Sequence, residues 1–386
     1  MTTVEGVNRY SYDNRNWLTA AGYPDGGSQT FSYDPVGNRA GLVEVGTGGS
    51  PVRTVVYAYD AANRLLSSVA PGETNSYSYD GAGRQTNQTV NGELRTMNYS
   101  FRSQMTSLTD TNASVFSYDF DGDGNRTKQS LNSCLSTRYV YDGPNVVLEL
   151  NASNQVTRAC INGPGIDQPI ERIDFVDGVQ RARLVYHTDG LGSVVAITDS
   201  SQQTAKTYAY EAFGRIRSEG GNGFAVNRYA FTARESLGDS LGLYYYRARV
   251  MDPNTGRFTS EDPLGFVDGP NLYGYVANNP INYVDPNGQW LAPARALAAK
   301  YGPKALAVGK KVWDKGKQVW KDTSFDGPSE RGGRICQIRY KKKPVARLDY
   351  HPIPGSNQED RLHLNIGDGK GKDEIRIPLD PRSLTD

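Results

Sequence analysis

Only three histidines occur in this chain of 386 residues, and two of them, His351 and His363, stand close together near its C-terminal end. Histidine is the side chain whose proton change lies nearest neutral pH. Cleavage of RNA by its own 2′-hydroxyl needs one base, one acid and a positive group for the phosphorane oxygens. His351 and His363 supply the first two in an order the sequence does not assign, with Arg361 or Lys343 as the cation. Tyr350 is placed to stack on a base or donate a proton. Lys341, Lys342, Lys343 and Arg347 are suited to following a phosphate backbone.

Short alternating segments carry these residues. Strands are predicted at 334–340, 345–351, 361–366 and 374–377, each with a period of two. In the third, Arg361, His363 and Asn365 share one face while Leu362, Leu364 and Ile366 share the other. Two other chemistries use the same stretch. A metal-dependent DNase would take one ion on Asp349, His351 and His363, although no His-Asn-His spacing is present. An ADP-ribosyltransferase would draw on Arg339, Tyr350 and Glu374. The leading reading needs neither a metal nor a cofactor.

The charge distribution agrees with an anionic target. From Trp290 onward 20 Lys and Arg face 12 Asp and Glu, a net of +8, whereas residues 1–289 carry −7. A basic tail beside an acidic body points to nucleic acid as the partner of the tail, with a solubilising surface as the alternative. No stretch approaches the ~18 apolar residues of a membrane span, and no signal peptide follows Met1. Three cysteines without a Cys-x-x-Cys pair make neither a disulfide framework nor a zinc site. Synthesis in a reducing cytosol is therefore expected.

What precedes the tail is a repeat. Tyr-Asp recurs at Tyr12-Asp13, Tyr33-Asp34, Tyr59-Asp60, Tyr79-Asp80, Tyr118-Asp119 and Tyr141-Asp142, and Tyr99-Ser100 stands where another copy would fall. A period near 20 residues marks an array of small units that bury their faces only against neighbours. Each unit reads as a hairpin, with aromatic and β-branched residues alternating before a turn such as Asp80-Gly81-Ala82-Gly83-Arg84. Asp provides the turn acceptor, Gly the positive φ, and Tyr a wide ring whose hydroxyl is expected to stay wet.

Between Gly242 and Gly288 the text becomes specific: Gly-Leu-Tyr-Tyr-Tyr-Arg-Ala-Arg-Val-Met-Asp-Pro-Asn-Thr-Gly-Arg-Phe, then Asn271-Leu272-Tyr273-Gly274-Tyr275, then Asn278-Asn279-Pro280 through Asp285-Pro286-Asn287-Gly288. This block, with the repeats before it, resembles the Rhs/YD-repeat family, and about three quarters of the chain shares the likeness. The resemblance implies a mainly β fold: a spiral of hairpins forming part of a shell, closed by a core plug, and a variable C-terminal toxin as cargo. The array is short for a complete cage and Met1 falls within repeat texture, so the chain reads as part of a longer member. The cargo's pattern of strands and residue types resembles the small metal-independent RNase toxins.

The resemblance also implies self-cleavage. Members end the core in Pro, four residues, then Asp-Pro-x-Gly-Leu, and are cut after the Leu. Pro280, Asp285, Pro286 and Gly288 are in register here, with Gln289 in place of Leu, so the candidate scissile bond is Gln289–Trp290. Hydrolysis by two carboxylates needs one ionised and one protonated, with burial separating their pKa values. Asp262 and Asp285 are the candidate pair, and Arg257 is the candidate cation beside them. Asp-Pro is also a common turn, and that reading stands beside the catalytic one.

The expected organisation is a YD-repeat shell over 1–185, the Rhs-associated core over 186–289, a helical linker over 290–330 and a small α+β toxin over 331–386. The expected function is an interbacterial effector whose released cargo cuts tRNA or rRNA. Its partners would be a cognate immunity protein and a secretion-system spike or carrier, such as that of type VI secretion. It would be made in the producer's cytoplasm and delivered to that of the target. A surface adhesion module of the teneurin kind is the non-enzymatic alternative, against which the missing signal peptide and the basic tail count.

Overall fold

The computed structural model describes residues 7–221, 227–238 and 241–289, and the backbone of five strands between Thr323 and Leu379. The chain divides into two compact units, Met1–Ala292 and Pro293–Asp386.

The described strands of the first unit are dominated by a twenty-stranded antiparallel sheet that runs in sequence order from Arg9–Tyr12 to Ile216–Gly220. Each strand pairs with the next, so every hydrogen-bonded neighbour is also a chain neighbour. The sheet continues past residue 185, where the tyrosine texture changes, to Gly220.

The repeat has a physical explanation in its turns. Asp80 Oδ1 accepts from the backbone N–H of Ala82 at 2.9 Å and of Arg84 at 3.0 Å, while its Oδ2 takes the Arg84 Nε at 2.6 Å. The same arrangement recurs at Asp60 with Ala62 and Arg64. The Asp thus closes the turn and the Arg neutralises the Asp. The Tyr hydroxyls are not left to water. Tyr33 donates to the Leu18 carbonyl at 2.8 Å, Tyr59 to Arg39 at 2.9 Å, Tyr99 to Gln85 at 2.9 Å, and Tyr141 to Arg126 at 3.0 Å. Each ring ties its own strand to the start of the preceding one, which corrects the expectation of a solvated hydroxyl.

No strand pairing joins the two ends of this sheet, but side chains do. Gln29 Nε2 donates to Glu211 at 2.8 Å, the Ala212 N–H donates to the Tyr23 hydroxyl at 3.0 Å, and Arg215 pairs with both Glu211 and Glu44. The last turn of the sheet therefore meets Tyr23 and the strands Ser28–Tyr33 and Arg39–Val45 across a polar seam.

Against one face of the sheet packs a plug built on four short strands, Glu235–Ser236, Tyr244–Tyr246, Arg249–Asp252 and Arg257–Phe258. Phe231, Tyr244, Tyr246, Phe258 and Tyr275 share one buried cluster with Leu18, Phe31, Leu42, Val55 and Leu65 of the sheet. Leu237, Leu241, Leu243 and Tyr245 join Met97, Leu108, Phe116 and Tyr118 in a second. Aromatic burial of this kind contributes strongly to holding the plug on the sheet. Buried charges sit there as well: Glu235 takes Arg126 and Arg228, each at 2.5 Å, and all three are buried.

The second unit contains a five-stranded antiparallel sheet, Thr323–Asp326, Arg334–Tyr340, Lys343–His351, Arg361–Ile366 and Ile375–Leu379, again in chain order. The first of these strands falls inside 290–330, where a helical linker is expected; its Thr323 to Asp326 pair with Tyr340 to Gln337. The rest of 290–330 lies outside the described residues, as do any helices of an α+β cargo.

Candidate self-cleavage site and candidate nuclease face

Asp262 and Asp285 come together on one guanidinium. Arg249 Nη2 lies 2.7 Å from Asp262 Oδ2 and 3.3 Å from Asp285 Oδ2. Arg249 is carried by the plug strand Arg249–Asp252, its guanidinium stacked on the Phe258 ring, 3.6 Å from the centroid. This is the arginine that sequence reasoning missed. Arg257, the expected partner, donates instead to the Asn63 carbonyl and sits between the Tyr59 and Tyr273 rings, 4.9 Å from each. The available signal was the pair of arginines in Tyr246-Arg247-Ala248-Arg249, where one plug strand turns into the next, but which arginine meets the carboxylates is a tertiary matter.

The two carboxylates differ in surroundings. Asp285 is 1% exposed, and burial pushes its carboxyl upward despite Arg249 and the backbone N–H groups of Gln289 and Asn287, with the Asp262 charge adding to the rise. Asp262 also closes a turn, its Oδ1 accepting from the Leu264 N–H at 2.8 Å. The turn reading and the active reading are thus compatible, because one oxygen serves each.

The chain after Asp285 is gripped carbonyl by carbonyl. Arg234 Nη1 donates to the Pro286 carbonyl at 2.8 Å, the Ala248 N–H to that of Asn287 at 3.2 Å, and Arg249 Nε to that of Gly288 at 2.5 Å. The Gln289 N–H donates to Asp285 Oδ1 at 3.0 Å. The next carbonyl along is that of the Gln289–Trp290 bond; Trp290 itself lies outside the described residues. Gly288 is obligatory here: its φ is +65°, and a Cβ would stand 2.3 Å from the Tyr246 carbonyl oxygen and 3.0 Å from the Arg249 nitrogen. Gly288→Ala should therefore push the segment out of the Arg249 grip, and urea unfolding should show a loss of about 1–3 kcal/mol.

In the second unit the backbone register arranges the other candidates. His351 stands opposite Arg361, Asp349 opposite His363, and Arg347 opposite Asn365. By the alternation of strands these six positions share one face. Tyr350 is opposite Leu362 and falls on the other face with Leu348 and Leu364. The register thus brings His351, His363, Arg361 and Arg347 together and separates Tyr350 from them. Lys343 begins the same strand, Arg339 lies opposite Pro344, and Lys341, Lys342 and Glu374 lie outside the described residues. Among the described residues no group of three or more His, Cys, Asp or Glu is placed to hold a metal ion.

The family described as Teneurin YD-shell matches residues 3–281. The chain belongs to that family. The YD-shell match includes Asp262 and Arg249 and stops short of Asp285 and of the second unit. Among curated relatives, tRNA nuclease WapA of Bacillus subtilis (strain 168) is 31% identical over 231 residues, 58% of this chain and 10% of the relative. Double-stranded DNA deaminase toxin A of Burkholderia cenocepacia (strain H111) is 32% identical over 181 residues, 42% of this chain and 12% of the relative. This YD-shell chain therefore spans about a tenth of their lengths. Of solved structures, the TcdB2-TccC3-Cdc42 complex aligns with 73% of this chain and 18% of its own at 19% identity, with a TM-score of 0.42.

Proposed function

We propose that this YD-shell chain is part of an Rhs-type polymorphic toxin that cuts itself at Gln289–Trp290 and so separates a C-terminal ribonuclease from its shell. The observation that carries the first half is the shared guanidinium: two carboxylates on Arg249, one of them bonded to the amide of Gln289. In the step proposed, Asp262 takes a proton from water as its oxygen adds to the Gln289 carbonyl carbon. Asp285, protonated, gives its proton to the Trp290 nitrogen as the C–N bond breaks. The products are a Gln289 carboxyl and a Trp290 amine, with one water consumed. Burial supports this division of labour, because it keeps Asp285 in its acid form to higher pH than an ordinary carboxylate.

The second half rests on the cargo face. His351 and His363 occupy diagonal positions on neighbouring strands, a separation of about 7–8 Å between backbones, which suits two groups acting on either side of one phosphodiester. Arg361 and Arg347 add positive charge on the same face, and the tail's net charge of +8 fits a polyanion. Relatives bearing the names tRNA nuclease and DNA deaminase toxin favour nucleic acid as the target and tRNA as the first substrate to try. An immunity protein in the producing cell, a secretion carrier, and delivery into the target cytoplasm belong to the same proposal. No helix among the described residues is long and apolar enough to cross a membrane.

The test is digestion of tRNA by the full chain in EDTA. Defined fragments are expected, falling by about 10²-fold or more with His351→Ala or His363→Ala. No fragments in EDTA would reject the metal-independent reading. Plasmid nicking restored by magnesium would favour the DNase, and transfer of label from NAD the ADP-ribosyltransferase.

A further inference from the structure

The shell itself reaches into the cleavage segment through one buried acid. Asp167 lies between the strands Val156–Asn162 and Pro169–Val176 of the large sheet, with φ at +47°. A non-glycine residue in that region is strained and persists only where its surroundings hold it. Three contacts hold Asp167: its N–H donates to Asn145 Oδ1 at 2.8 Å, Oδ2 meets Arg234 Nη1 at 2.8 Å, and Oδ1 meets Arg247 Nη2 at 2.6 Å. It is 3% exposed, so removing either partner of these pairs leaves an uncompensated charge away from water.

Arg234 is the intermediary. The nitrogen that pairs with Asp167 is also the one that donates to the Pro286 carbonyl at 2.8 Å, while Nε donates to the Thr232 carbonyl at 3.0 Å. Pro286 directly follows Asp285. Without a fixed Arg234 the first of the three gripped carbonyls is free, and a displacement of about 1 Å at a reacting segment is enough to cost about 10²-fold in rate. Arg247, the other arginine on the Asp167 carboxylate, sits two residues before Arg249.

We propose that Asp167 is a positioning residue for self-cleavage, acting through Arg234 to set the main chain of residues 285–289 against Arg249 and Asp262. The proposal rests on the self-cleavage reading above. A link from a shell loop to the cut means that cleavage is quick only when the sheet around residues 145–169 is folded onto the plug.

The test compares the full chain with Asp167→Asn, Arg234→Gln and the double variant, following cleavage on denaturing gels and folding by thermal unfolding. Asp167→Asn should slow cleavage at least tenfold while unfolding remains cooperative, and should slow it no further in the Arg234→Gln background. Equal slowing in both backgrounds, or a wild-type rate in Asp167→Asn, overturns the proposal. Should Asp167→Asn not fold, Arg234→Gln alone carries the test: it removes the guanidinium that joins the Asp167 carboxylate to the Pro286 carbonyl, and a wild-type rate there has the same force. Should the wild type not cut, the self-cleavage reading fails by itself. Hydrogen exchange at the Gln289 amide then decides the positioning: tenfold faster exchange in Asp167→Asn supports it, and unchanged exchange overturns it.

Discussion

Asp285→Asn should leave the chain whole under conditions where the wild type divides into residues 1–289 and 290–386, a rate loss of about 10²–10⁴-fold for a missing general acid. Asn keeps the shape and still accepts from the Gln289 N–H, which lies 3.0 Å from Asp285 Oδ1, but has no carboxyl proton to give. Asp262→Asn should do the same by removing the base. The pH dependence follows from burial, which raises the Asp285 pKa above that of an ordinary carboxylate. Cleavage should fall as pH climbs past that raised value and the acid form is lost. Stability carries the same sign: a group whose folded pKa is raised favours the fold fully below its unfolded pKa, and that contribution disappears as pH rises through the folded one. Time courses on denaturing gels across pH test the first, and denaturant unfolding of Asp285→Asn against wild type tests the second. A rate that increases steadily with pH would contradict the assignment.

The largest loss of stability should come from Glu235→Ala. Arg126, Arg228 and Glu235 are all buried, with Arg126 and Glu235 at 0% and 1% exposure. Removing the acid takes away the carboxylate that both guanidinium groups share, which costs about 3–5 kcal/mol and lowers the thermal midpoint by on the order of 10 °C. Arg228 retains a contact to Glu149 at 3.4 Å, and Arg126 retains the faces of Tyr118, Tyr139 and Tyr245. Acid should act on the same triad. Burial works to raise the Glu235 pKa, but Arg228 and Arg126 together hold it down to about 2. A depressed folded pKa means stability present above the ordinary glutamate value and lost between that value and about 2 as pH falls. Glu235→Ala should therefore flatten the acid limb of the stability profile, and an unchanged limb would show that the triad contributes little.

Local features were legible in the sequence and tertiary ones were not. The Tyr-Asp period announces the hairpin array because a turn closed by its own Asp and Arg is complete within five residues, as at Asp80–Arg84. The purpose of the tyrosine was hidden, since its partner is a backbone carbonyl one strand back and carries no sequence signature. Asp262 and Asp285 could be singled out by motif, whereas Arg249 could not: choosing it over Arg257 requires knowing which plug strand passes under Phe258. The opposite faces of Tyr350 and His351 were implicit in the period of two, and the backbone register makes them explicit. Asp167 had no signal at all, because a shell loop and a plug arginine far apart in sequence meet only in the fold.

The most direct test is the intact mass of the purified wild-type chain, set beside that of Asp285→Asn. Two masses that divide between Gln289 and Trp290 in the wild type, and a single one near 42.3 kDa in the variant, are what a shell with a built-in cut predicts. A folded wild type that stays at one mass across the acid-to-neutral range, or that parts at some other bond, would contradict it.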